Sequence, residues 1–124
     1  YLIPKLSDGG FISVVTSVAG LRGRSKRLFY GSAKAGLINY LSGLRQFLYK
    51  RRIFVNTIIP GYISTERFNI KASKFLITSP NKAAKMIYQS IKNKNEIIYV
   101  GFLWRIISFI INLIPEKIFK KLNF

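Results

Sequence analysis

The chain has 124 residues, 49% of them hydrophobic, enough for one domain with a core and too few to expect two. It contains no cysteine and no histidine, which excludes disulfides, thiol nucleophiles, zinc–thiolate sites and imidazole acid–base chemistry; its four acids, Asp8, Glu66, Glu96 and Glu116, are scattered, so neither a carboxylate pair nor a metal site is expected. The formal net charge of +17 attracts anions such as phosphorylated substrates, acidic lipid headgroups or nucleic acid, unless the lysines are simply solvated.

The first residue is Tyr1, and residues 2–6 read as the tail of a helix, which suggests an upstream segment; no secretory signal is visible. Ser7-Asp8-Gly9-Gly10 is a turn. Residues 11–16, β-branched and mostly apolar, have the composition of a buried strand. Small residues 17–20 leave that strand, and a basic loop covers 22–28. From Tyr30 to about Lys50, Leu37, Ile38, Leu41, Leu44 and Leu48 recur at three- and four-residue steps, which predicts a helix ending in the cations Lys50-Arg51-Arg52.

Residues 53–59 predict a second buried strand, stopped by Pro60-Gly61. Strand, helix and strand make a right-handed parallel βαβ unit. Residues 62–78 show no clear period and read as a loop with short helical pieces. Ser79-Pro80 starts a helix whose inward face is Ala83, Ala84, Ile87 and Ile91, and residues 96–100 form a third strand. The order predicts an α/β layered fold.

Residues 102–124 differ from the 1–101 domain. Leu103, Ile106, Ile107, Ile110, Ile111 and Ile114 form a broad apolar face beside a narrow polar stripe of Arg105, Ser108 and Asn112. A helix over 102–114 spans roughly 20 Å, short of the ~30 Å bilayer core. Two readings stay open: an interfacial helix with Trp104 and Arg105 at one end and Lys117, Lys120 and Lys121 at the other, or a helix docked on its own domain or a partner subunit.

With His, Cys and paired acids excluded, proton transfer falls to Tyr or Lys. Tyr30 and Lys34 lie one helical turn apart, and an ammonium beside a phenol favours the phenolate. Ser17 follows the first strand and Pro60-Gly61 the second, and in open parallel sheets ligands bind at such carboxyl ends.

Ser17, Tyr30-Gly31-Ser32-Ala33-Lys34 (Tyr-x-x-x-Lys) thirteen residues later, and Pro60-Gly61-Tyr62-Ile63-Ser64-Thr65 (Pro-Gly-x-x-x-Thr) together resemble the C-terminal half of the short-chain dehydrogenase/reductase family. Tyr-x-x-x-Lys alone is weak; the set is specific. The resemblance implies part of a Rossmann-like doubly wound parallel sheet, about three strands with flanking helices. It implies an NAD- or NADP-dependent oxidoreductase, NADPH favoured. Tyr30 would be the general acid toward a substrate carbonyl, Ser17 would hold the carbonyl oxygen, and Lys34 would assist Tyr30 and bind the nicotinamide ribose. Pro60, Gly61 and the Ile63 backbone would meet the nicotinamide, and Thr65 the phosphates. The family's Gly-rich phosphate-binding turn, its residue selecting NAD or NADP, and its catalytic Asn are absent from these residues, and the first strand is expected to present an open edge.

Ser17-Val18-Ala19-Gly20, residues 30–37 and the ending Trp104-Arg105 … Ile114-Pro115 … Ile118-Phe119-Lys120-Lys121-Leu122 look like the decaprenylphosphoryl-ribose 2-keto reductases of polysaccharide biosynthesis. That likeness implies a keto-sugar on a lipid phosphate, peripheral membrane contact through 102–124, a cytoplasmic location at the inner face of the membrane, and a homo-oligomer through the 30–50 helix. The competing readings are a truncated, non-catalytic remnant and a basic membrane-surface module; nucleic acid is not expected, because Ser17, Tyr30, Lys34 and Thr65 would then coincide by chance.

Overall fold

The computed structural model describes residues 3–64 and 73–122. Its elements are β1 (Phe11–Val15), α1 (Leu28–Leu48), β2 (Phe54–Pro60), β3 (Tyr62–Ile63), β4 (Ile77–Thr78), α2 (Pro80–Lys92), β5 (Ile97–Val100), α3 (Phe102–Leu113) and α4 (Glu116–Phe119), with 3-10 turns between several of them. Strands β1, β2 and β5 form one parallel sheet in that order, Phe11 opposite Phe54 and Thr57 opposite Ile97. This is the expected α/β architecture with a parallel sheet and flanking helices.

Strand β2 is central, and its alternating side chains feed two cores. Val55 packs with Leu41, Leu44 and Leu48 of α1, while Ile58 packs with Ala83 of α2 and Val100 of β5. A strand covered by a helix on each face needs apolar residues at successive positions, which is why residues 53–59 lack polar alternation. Pro60 extends β2 by one residue rather than stopping it; at the strand's last position its missing N–H costs little.

Two polar groups enter this interior with partners. Asn56 is fully buried: its Oδ1 accepts from Ser13 Oγ at 2.8 Å, and its Nδ2 donates to Ser90 Oγ at 3.2 Å and to the Asn95 carbonyl. It ties both outer strands' neighbourhoods to the middle one. On the other face, Arg45 donates to the Val55 carbonyl at 3.1 Å and to Thr57 Oγ1 at 2.9 Å, so α1 is hydrogen-bonded to β2 as well as packed on it.

Several expectations need correction. Strand β1 is half-buried rather than buried: it is the edge strand of the described sheet, as expected, and Phe11 and Val15 are exposed. The expected helix tail near the start is one 3-10 turn, Ile3–Lys5, held by Arg51, whose Nη1 donates to the Ile3 carbonyl at 3.1 Å and whose Nε pairs with Asp8 at 2.9 Å. Arg51 thus serves a tertiary contact rather than only the helix terminus. The stretch read as a loop contains β3 and β4, a two-residue parallel pair too short to leave a period. In α2 the inward positions are Ala83, Met86, Ile87 and Ser90, and Ala84 is exposed; Ser79 caps the helix by accepting from Lys82 N.

The tail departs most from expectation. Helix α3 forms where predicted, but it turns Trp104 and Ser108 inward and leaves Leu103, Ile106 and Ile110 exposed. Trp104 therefore cannot be an interfacial anchor. It makes an edge-on contact with Tyr62, centroids 5.0 Å apart, and donates Nε1–H to the Leu76 carbonyl at 2.9 Å. A buried indole N–H needs that acceptor, and the segment before β4 supplies it. Among the described residues no helix is long and apolar enough to cross a membrane.

Candidate active site

Parallel strands that end at one edge bring their following turns together there. After β1, Ser17 caps the 3-10 turn Val18–Gly20: its Oγ accepts from Ala19 N at 3.2 Å. The hydroxyl proton is not used in that cap and stays available to an acceptor. The turn packs backbone to backbone on α1. A Cβ at Gly20 would lie 2.6 Å from the carbonyl carbon of Lys34, so only glycine permits the approach. Buried Ala19 sits against Gly31 in the same way.

This packing puts the Ser17 turn against the first turns of α1, which carry Tyr30 and Lys34. Lys34 Nζ donates to the Val15 carbonyl at 3.2 Å and lies 5.8 Å from the centroid of the Tyr30 ring. The lysine therefore bridges the end of β1 and the tyrosine. An ammonium has three N–H groups; with one on Val15, two remain for other acceptors. Tyr30 is 48% exposed, open to a reactant. α1 begins at Leu28, two residues before the expected start, so Tyr30 lies within its first turn.

After β2, Gly61 N donates to the Val100 carbonyl at 3.3 Å, and the Trp104 indole lies flush against the Gly61 Cα. A Cβ there would overlap Cδ1 and Nε1 of Trp104. Pro60 is paired with Val100, and Ile63 with Thr78. Pro60, at the end of β2, and Gly61 after it thus lie at the same carboxyl edge as Ser17, while Ile63 belongs to the separate β3–β4 pair and packs against the core on the α2 side. Thr65 lies outside the described residues.

The described carboxylates are engaged elsewhere. Asp8 pairs with Arg51 at 2.9 Å, Glu116 with Arg22 at 3.0 Å, and Glu96 with Arg45 at 3.9 Å. Among the described residues no acidic cluster could hold a metal. Tyr30 and Lys34 remain the groups at this edge suited to moving a proton.

Sequence reasoning did not single out Arg22. It reaches from the loop between Ser17 and Tyr30 to the chain's end: Nη1 donates to the Ile111 and Ile114 carbonyls, the latter at 2.6 Å, and the guanidinium lies over the Phe119 ring at 3.8 Å. A helix C-terminus leaves carbonyls without partners, and a cation nearby is their natural donor; the basic loop and the helix-ending Ile114-Pro115 were the signals in the sequence. Beside this contact, a cleft of about 220 Å³ is lined by Arg24, Ser25, Leu28, Phe119, Lys120 and Leu122. It opens next to the helix start that carries Tyr30.

Residues 2–76 match the family model described as short chain dehydrogenase. The chain belongs to the short-chain dehydrogenase family. It is 29% identical over 116 residues to an uncharacterized oxidoreductase of Streptomyces coelicolor, covering 91% of this chain and 45% of that one. It is 30% identical over 107 residues to the ketoacyl reductase HetN of Nostoc, covering 81% of this chain and 37% of the relative. Among solved structures, a short chain dehydrogenase from Burkholderia cenocepacia in complex with NADP superposes with a TM-score of 0.75 at 18% identity, over 91% of this chain and 47% of that one. The chain therefore spans less than half the length of these relatives, and what it shares with the solved structure is the fold.

Proposed function

We propose that these residues form the proton-transfer and substrate side of an NAD(P)-dependent reductase acting on a carbonyl. The observation that carries the reading is the seating of the Ser17 turn on the Tyr30–Lys34 turn of α1, with Lys34 bonded to the strand end between them. A nicotinamide cofactor, when bound, supplies the hydride that reduces the carbonyl carbon. Tyr30 donates its phenolic proton to the carbonyl oxygen as that oxygen becomes an alcohol. Ser17 donates its free O–H to the same oxygen and orients it. Lys34 stabilises the phenolate left on Tyr30, and its two unused N–H groups suit ribose hydroxyls.

Pro60, Gly61 and the Ile63 backbone would border the nicotinamide side. No Gly-x-Gly-x-x-Gly spacing occurs in the 124 residues, so the fit extends to the nicotinamide end of the cofactor alone. NADPH is the favoured donor; among the similar solved structures, the Burkholderia dehydrogenase is a complex with NADP and a 4-hydroxyisoleucine dehydrogenase is a complex with NADH.

The substrate we infer is a keto-sugar on a lipid phosphate. The cleft beside the start of α1 supports it by composition: Arg24 and Lys120 suit a phosphate, Glu116 in the same lining being paired with Arg22, and Leu28, Phe119 and Leu122 suit an apolar chain. Self-association would use the outer face of α1, where Tyr40 and Phe47 are exposed.

The test supplies the natively expressed polypeptide with NADPH deuterated at the transferring position and two ketone sets, keto-sugars on polyprenyl phosphate and the same sugars without the lipid. Deuterium on the carbinol carbon of the lipid-linked product is expected. Transfer to neither set would overturn the reductase reading, and transfer to soluble ketones alone would overturn the substrate.

A further inference from the structure

We propose that the outward face of α3, continued through α4, is a docking surface for an anionic lipid bilayer. Phe102, Leu103, Ile106, Phe109, Ile110 and Leu113 recur at three- and four-residue steps and all lie on the exposed side. Phe102 is 76% exposed and Phe109 65%, values far from those of a packed helix. Six apolar side chains in one stripe on a twelve-residue helix exceed the scattered exposure of an ordinary surface. Ile118 and Leu122 extend the stripe beyond Pro115.

The orientation is built in. An amphipathic helix free to choose would bury its broad apolar side. Here the inner side is fixed by Trp104, bonded to Leu76, by buried Ser108, and by Arg22, which holds the carbonyls of Ile111 and Ile114. Those anchors commit the apolar side outward. The helix is about 18 Å long, too short to cross a bilayer and long enough to lie in its interface.

Charge selects the occupant. Arg105, Lys117, Lys120 and Lys121 are exposed along the stripe. The tail's single acid, Glu116, is paired with Arg22. A surface of anionic headgroups over acyl chains satisfies both the cations and the apolar row.

The proposal does not depend on the carbonyl chemistry, and its test needs no turnover. The purified protein is floated with phosphatidylglycerol vesicles and with phosphatidylcholine vesicles. Co-flotation with the anionic vesicles is expected, reduced about ten-fold in the double variant Ile106→Asp/Ile110→Asp and also in the milder Ile106→Ser/Ile110→Ser. Both positions are exposed, and an unchanged unfolding midpoint verifies that the variants fold. The emission of Trp104 is expected to stay unshifted on binding, because its indole faces the protein. Three results would overturn the proposal: no partition to anionic vesicles, partition that both variants leave intact, or a soluble dimer that the variants dissociate.

Discussion

The guanidinium of Arg22 lies 3.8 Å from the centroid of the Phe119 ring, joining the loop before α1 to the last helix of the chain. The same side chain caps α3 and pairs with Glu116. The loop it leaves lies between Ser17 and Tyr30, so the tail and the candidate site share one staple.

Arg22→Ala should therefore loosen both. The loss is expected at about 2–3 kcal/mol, dominated by the half-buried carbonyl bonds rather than by the exposed Glu116. Arg22→Lys should recover little, because an ammonium cannot stack on the ring and reach two carbonyls together. Limited proteolysis near Lys117 and Lys120 measures it: faster cleavage is expected in both variants, and a wild-type rate in Arg22→Ala would show that the staple does not hold the tail.

Gly61→Ala forces a Cβ into the Trp104 indole. The ring cannot yield without breaking its bond to Leu76, so a cost of about 1–3 kcal/mol is expected. Trp104 is the chain's single tryptophan, which makes its emission a direct report. A red shift with a lower unfolding midpoint is expected, and an unchanged spectrum would contradict the close approach.

Asn56→Leu keeps the branching at Cγ, adds volume in a fully buried site and removes the buried polar links. Ser13, Ser90 and the Asn95 carbonyl lose a partner, Ser90 in the interior, at about 1–3 kcal/mol. Urea unfolding should show a lower midpoint with an unchanged slope.

The 124 residues by themselves should bind NADPH weakly or not at all, because they carry no Gly-rich turn for the pyrophosphate. Fluorescence titration of NADPH checks this; a saturable micromolar site would contradict it.

Much of the fold is legible in the sequence where burial is strong on both sides. Residues 53–59 announce a central strand because helices cover both faces, and Leu41, Leu44 and Leu48 announce the helix that covers one of them. Burial by long-range partners is less legible. Phe11 and Val15 have the composition of a buried strand, and only their place at the edge of the described sheet accounts for their exposure. Trp104 and Ser108 face inward because Leu76, Tyr62 and Arg22 hold α3 from far along the chain, against the helix's own apolar pattern. Arg22 resembles any cation of a basic loop until the fold brings two carbonyls and a ring to it. For the site, Ser17, Tyr30 and Lys34 stand out by spacing, whereas the Gly20 approach that brings their turns together is visible only in three dimensions.

The most direct measurement compares Tyr30→Phe with the natural sequence in NADPH-dependent carbonyl reduction by the natively expressed polypeptide. The ring is half-exposed and its hydroxyl lies outside the core, so the fold should be unaffected. A fall in kcat of about 10²–10⁴-fold is expected, with NADPH affinity retained. Turnover at the natural rate in Tyr30→Phe would contradict the account, because Tyr30 would then not be the group that supplies the proton.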